Sequence, residues 1–254
     1  MLRNLLLPLL AAALLCTACT EDQLLTGVEA EAAYVDLLSN LERSDTVAAR
    51  SAAARLNERL RNLRALAYRP LGDVAAEERS FRLNRAECTF LEAFAFVGAG
   101  DLDQASVQLD RAVYELRAAD PPVTDELYVI QVYDFLMAWL ELVHQPDALE
   151  TERVALLIGA LREWKQVSHL RPDAFLYPEL SRHPQAFLAS HAVLDGHLGE
   201  LSDHLDRGEM PDRQLMERTT EAVWGVIGHF GTEGAGKDEL PPEEDKALST
   251  PISL

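Results

Sequence analysis

Lysine is almost missing from this chain: Lys165, Lys237 and Lys246 are the only three, so the basic charge is nearly all arginine. Basic charge of any kind is scarce, with 23 Lys and Arg against 42 Asp and Glu in 254 residues. The resulting field repels polyanions, which argues against nucleic acid and anionic headgroups as partners. Alternating runs rich in Val, Ile and Thr are absent, which argues against a sheet. Motifs for covalent or hydrolytic chemistry are absent too: there is no Gly-x-Ser-x-Gly elbow, no His-Glu-x-x-His helix and no phosphate-cradling glycine loop. The stretch from Gly231 to Lys237 is rich in glycine but has no strand before it, and Asp238 stands where a hydroxyl residue would follow the lysine; it reads as linker. Glu77 and Glu78 are adjacent and so point to different helix faces, and no pair of acids sits in an apolar setting suited to general acid work. A non-enzymatic protein is the expectation, with no cofactor implied.

Cysteine is equally rare, at three residues, two of them within the first twenty. Arg3 precedes an apolar run from Leu5 to Leu15, and the small residues Thr17 and Ala18 follow. Positive charge, apolar core and small residues in that order make a secretory signal too short to span a bilayer. The segment Leu15-Cys16-Thr17-Ala18-Cys19 resembles a bacterial lipobox, with Ala18 as the small residue before the acylated cysteine. It departs from the pattern in holding Cys16 where leucine is usual, Leu15 lying one step earlier. The resemblance implies cleavage after residue 18, lipidation at Cys19 and membrane anchoring, which becomes firm with two or more acyl chains. Thr20-Glu21-Asp22 resembles the surface-export signals of Bacteroidetes lipoproteins, and the lack of Asp at position 20 resembles outer-membrane sorting in other Gram-negative bacteria. These imply an outer-membrane lipoprotein of the cell envelope, on its periplasmic or its surface face. Removal of residues 1–18 leaves 22 basic and 42 acidic side chains, a formal charge of −20. With Cys19 acylated, Cys88 is the only free thiol, so no intramolecular disulfide forms and stability must come from packing.

What the rest of the chain has in abundance is apolar residues spaced by three and four. Eight helices are expected between residues 28 and 230, followed by an acidic, Gly- and Pro-rich tail over 231–254 that reads as disordered. The first runs from about Val28 to Glu42, leaving a linker over 19–27. The second starts at the Ser44-Asp45 break and carries Val47, Leu56, Leu60, Leu63 and Leu66 on one stripe, ending before Pro70. Asp73 opens the third, with Phe81, Cys88, Leu91 and Ala95 inward and a stop at Gly98-Ala99-Gly100. The fourth begins at Asp101, which has capping-box spacing to Gln104, and ends before Pro121. The fifth, about 125–144, is the most apolar and is expected at the centre. Asp147 and Glu150, again at capping-box spacing, open the sixth, which carries Val154, Leu157, Leu161 and Trp164 to about His169. A proline-punctuated loop from Arg171 to Pro184 is held down by Phe175, Leu176, Tyr177 and Leu180. The seventh and eighth helices, Gln185 to Asp206 and Asp212 to Phe230, close the domain.

This is an all-α pattern, read as four antiparallel helical hairpins forming either a repeat stack or an irregular bundle. Phe96, Gly100, Asp101, Ala105, Leu109 and Ala112, with Ala93 before them, stand at spacings at which small residues let two antiparallel helices approach closely. The stretch resembles one tetratricopeptide repeat. Thr89 and Glu92 depart from it, occupying places where the family has a large aromatic and a leucine, and the closing proline comes late, at Pro121. The resemblance implies a stack that binds a partner protein or an extended ligand across its surface.

Histidine is the other candidate ligand, since five of the seven lie between His169 and His204. Two helical side chains share a metal at spacings near three or four. His197 and His204 are seven apart, roughly 10 Å along a helix axis, so a metal-binding bundle using them needs ligands from elsewhere, such as Asp195 or Asp203. His191 aligns with Phe187, Leu194, Leu198 and Leu201 and is expected as a hydrogen-bonded residue at the core edge. Cys88, among Phe81, Phe90 and Leu91, is expected to be buried and inert.

Overall fold

A computed structural model of the chain describes residues 25–67, 74–119, 126–145 and 149–232. Cys19, the leader before it, the Asp73 and Asp147 caps and the tail after Thr232 lie outside the described residues. All regular structure among the described residues is helical. Helix α1 occupies the described residues 25–42, and α2 (Thr46–Ala67), α3 (Val74–Ala99) and α4 (Leu102–Ala119) follow. The expected fifth helix is divided at Val132 into α5 (Tyr128–Gln131) and α6 (Tyr133–His144). Then come α7 (Glu150–Val167), a short α8 (Pro178–Arg182) inside the proline-punctuated loop, α9 (Pro184–Asp206) and α10 (Arg213–Ile227), ending in a 3₁₀ turn over Gly228–Phe230.

The helix ends follow from side chains that satisfy the first amides, which have no partner within their own helix. Asp45 accepts from the amides of Val47 (3.1 Å) and Ala48 (3.0 Å), Asp101 from Gln104 (3.2 Å) and Asp212 from Leu215 (2.7 Å). α7 departs from this pattern: Leu149 is its N-cap residue, and no side chain bonds its amides there. At the end of α3, Gly100 takes φ +84°, its amide donating to the Val97 carbonyl and that of Asp101 to Phe96. Arg50 of α2 reaches the Gly98 carbonyl at 2.8 Å, placing a cation at the negative helix end. Because a side chain is strained at that φ, Gly100→Ala should cost about 1 kcal/mol of stability, read from the urea midpoint at unchanged slope.

Packing is closest between α3 and α4, with extensive contact also between α2 and α3, α6 and α7, and α9 and α10. Alanines make the close approach possible: Ala49, Ala52 and Ala53 of α2, Ala86 and Ala93 of α3, and Ala105 and Ala112 of α4 are all buried. Ion pairs join Glu29 to Arg59 and Asp36 to Arg55, partners whose numbers run in opposite directions along α1 and α2, as antiparallel helices require. The α5–α6 segment lies in the core, with Tyr128, Val129, Phe135, Leu136 and Trp139 fully buried. Trp164 of α7 packs on Phe135 at 4.7 Å between ring centres.

One face was expected the wrong way round. α3 turns Ala86, Phe90, Ala93 and Val97 inward, whereas Phe81, Cys88, Leu91 and Ala95 are exposed. Both stripes have helical spacing, and the small residues of the first fit between α2 and α4 where Phe81 and Leu91 would not. Cys88 is therefore a solvent-facing thiol. Val47 is exposed as well, and the inner face of α2 is the alanine stripe with Leu56.

Candidate functional site

Glu31 is the least expected residue in the fold: an acid on the inner face of α1, 4% exposed, between Ala30 and Ala33. It is held by donors from two distant segments. The Val129 amide donates to its Oε1 at 2.7 Å, the Ile130 amide is also bonded to it, and the Tyr177 hydroxyl donates to its Oε2 at 2.5 Å. Tyr177 in turn accepts from the Tyr128 amide at 2.9 Å. No side chain caps α5 at Leu127, so Glu31 and Tyr177 together take up its first amides. Burial nevertheless outweighs these bonds and pushes the Glu31 carboxyl up to about 7.

Beside this buried link opens a groove of about 860 Å³. It is lined by Val28, Glu29 and Ala32 of α1, by Arg55 and Arg59 of α2, by the Leu176–Leu180 segment and by Phe230. Tyr177 belongs both to this lining and to the Glu31 link, so its position is fixed from inside the core. Phe230 stacks on Tyr128 at 4.6 Å and meets Tyr177 edge-on at 5.1 Å. Past Phe230 the chain is tied back to α1, where Asp36 accepts from the Thr232 amide (3.0 Å) and hydroxyl and pairs with Arg55 at 2.9 Å. A Cβ at Gly231 would lie 2.8 Å from an Asp36 oxygen, so a side chain there would displace that carboxylate from Thr232.

Chemically the groove offers apolar area with charged hydrogen-bonding groups. His229 lines it, and the Ser190 hydroxyl lies 3.1 Å from the His229 Nε2. Ser190 belongs to α9 and His229 to the 3₁₀ turn that follows α10.

The residues singled out in the sequence are distributed elsewhere. Phe96 lies partly buried near the end of α3, Gly100 forms the turn after it, and Ala105, Leu109 and Ala112 are fully buried on α4. His191 is buried, with its Nδ1 3.0 Å from Asp195, whose other oxygen accepts from the Trp164 indole at 2.7 Å. Burial holds this imidazole below its ordinary pKa. His197 and His204 remain two turns apart on α9, and His204 faces Glu209 at 3.4 Å. Among the described residues no group of three or more His, Cys, Asp or Glu side chains is placed to hold a metal ion, and no helix is long and apolar enough to cross a membrane. The groove itself escaped sequence reading because its lining comes from separated segments. The one local signal was the apolar cluster Leu176-Tyr177 amid prolines.

These features define an all-α protein with a single-chain groove of mixed apolar and charged lining. No known protein family, curated protein or solved structure matches the chain.

Proposed function

We propose that this chain is a lipid-anchored protein of the bacterial outer membrane whose helical domain, built as a tetratricopeptide-like stack of hairpins, binds an extended segment of another envelope protein without catalysing a reaction. The observation that carries the binding part is the groove between α1 and the Leu176–Leu180 segment. Its lining combines apolar side chains with Arg55 and Arg59, which stand in ion pairs with Asp36 and Glu29 and which an acidic segment of a partner would have to share. The anchoring part rests on the leader and on Ala18-Cys19. Val28 of α1 lines the groove and stands nine residues after Cys19, so an acylated Cys19 would keep the groove near the membrane surface.

Two variants test the two parts. Cys19→Ser should shift the protein from the membrane to the soluble fraction; retention in the membrane would remove the lipid anchor. Ala32→Trp fills the groove and should release the protein from any complex that survives mild detergent, with unchanged helical circular dichroism. Identical migration of wild type and Ala32→Trp would remove the groove as the binding site.

A further inference from the structure

Of the three tryptophans, two use their indole N–H inside the fold: Trp139 donates to the Thr220 hydroxyl at 3.2 Å and Trp164 to Asp195 at 2.7 Å. The third, Trp224 of α10, is partly buried against the core, and its N–H has no partner among the described residues. An indole packed in this way ordinarily bonds its N–H. Trp224 lines a cavity of about 410 Å³, whose lining also includes Asp36 and Ser39 of α1, Arg43 in the turn after it, and Ser51 and Arg55 of α2.

The polar groups of this lining divide into those already engaged and those still open. Asp36 accepts from Arg55 at 2.9 Å, from the Thr232 amide at 3.0 Å and from the Thr232 hydroxyl, so its charge is met within the fold. Arg55 also donates to the Ser51 Oγ at 3.0 Å, which leaves the Ser51 hydroxyl hydrogen for another acceptor. The Arg43 guanidinium and the Ser39 hydroxyl have no partner among the described residues. Four groups able to donate are therefore open: Arg43, Ser39, Ser51 and the Trp224 indole. Two arginines against one aspartate make the lining cationic, in a chain whose net charge is −19.

We propose that this cavity is a binding site for a small oxyanion ligand, a carboxylate or a phosphate ester, whose oxygens accept from Arg43 and from the hydroxyl and indole donors that line the cavity with it. Arginine bonds such groups through paired N–H donors, and the volume lies in the range of small-molecule sites. The acidic field of the whole chain turns away polyanions, but exposed charges farther than about 8 Å are largely screened at physiological ionic strength, so one small anion is governed by the groups lining the cavity. Arg43, Ser39 and Ser51 do not line the groove, and the proposal stands whether or not the groove holds a partner.

The test is a titration of the ¹⁵N-labelled full chain in uncharged detergent, read at the indole N–H resonances, with inorganic phosphate, glucuronate and glucose as probes. Trp224→Phe identifies the Trp224 signal, and circular dichroism shows that each variant is folded. Phosphate or glucuronate should move the Trp224 signal with a dissociation constant below about 1 mM and leave those of Trp139 and Trp164 in place, and glucose should move none. Binding of phosphate alone assigns a phosphate site, of glucuronate alone a carboxylate site, and of both a general oxyanion site. Arg43→Gln should raise the dissociation constant by about tenfold, whereas Arg111→Gln, which removes the same charge from an exposed position on α4, should behave as wild type. A Trp224 signal unmoved by either anion up to about 10 mM, an affinity that Arg43→Gln leaves unchanged, or equal losses in Arg43→Gln and Arg111→Gln overturns the proposal. Glucose binding as tightly as glucuronate would do the same.

Discussion

Raising the pH from 4.5 to about 7 is expected to lower the unfolding free energy of the wild-type chain by on the order of 3 kcal/mol relative to its Glu31→Gln variant. The sign follows from Glu31. Its carboxyl titrates near 7 in the fold and near its ordinary 4.5 in the unfolded chain, so between these values the folded state binds more protons. Stability therefore falls as pH rises through that window and is flat above it, where both states carry the charge. Acids held in ion pairs act in the opposite direction, which is why the difference between wild type and Glu31→Gln is the quantity to measure, by urea unfolding across pH. An equal pH dependence in the two proteins would show that burial does not raise this carboxyl. Tyr177 and the groove lining depend on the same link, so that segment should loosen before global unfolding as the pH rises, seen as falling amide protection factors, corrected for the intrinsic pH dependence of exchange, over 174–177.

Trp139→Ala should be the most damaging substitution in the core, lowering the unfolding free energy by about 3–5 kcal/mol. The indole is fully buried, lies 6.5 Å from the Phe135 ring and donates to the Thr220 hydroxyl at 3.2 Å, joining α6 to α10. Truncation removes the largest buried side chain and leaves Thr220 without that partner. Tyr114→Ala is the control: Tyr114 is exposed, and its loss should change stability by less than about 0.5 kcal/mol. Similar urea midpoints for the two variants would contradict the placement of α6 at the centre.

The all-α class was legible because three-and-four spacing continues through the whole body, and the turns at Asp45, Asp101 and Asp212 were legible because capping is local chemistry. α7 starts after Leu149, close to the start expected from the Asp147–Glu150 spacing, and Asp147 itself lies outside the described residues. The orientation of α3 was not legible. Hydrophobicity favours Phe81 and Leu91 over Ala86 and Ala93, but close packing between α2 and α4 selects the small stripe. Glu31 was hidden for a related reason: an acid two residues before Ala33 looks solvated until the amides of α5 and the Tyr177 hydroxyl are brought to it from about a hundred residues and more away. The residues picked out by spacing lie on α3, its closing turn and α4, and none of them lines the groove.

The proposed capture of an envelope partner in the groove is tested most directly by site-specific photo-crosslinking in intact cell envelopes, with a photoreactive amino acid in place of Ala32 in the groove or of Val193 on the exposed face of α9. If the groove holds such a partner, position 32 gives one discrete adduct to a different protein, lost when Arg59→Glu is added, and position 193 gives none. Adducts of equal yield from both positions, or none from position 32, would contradict it.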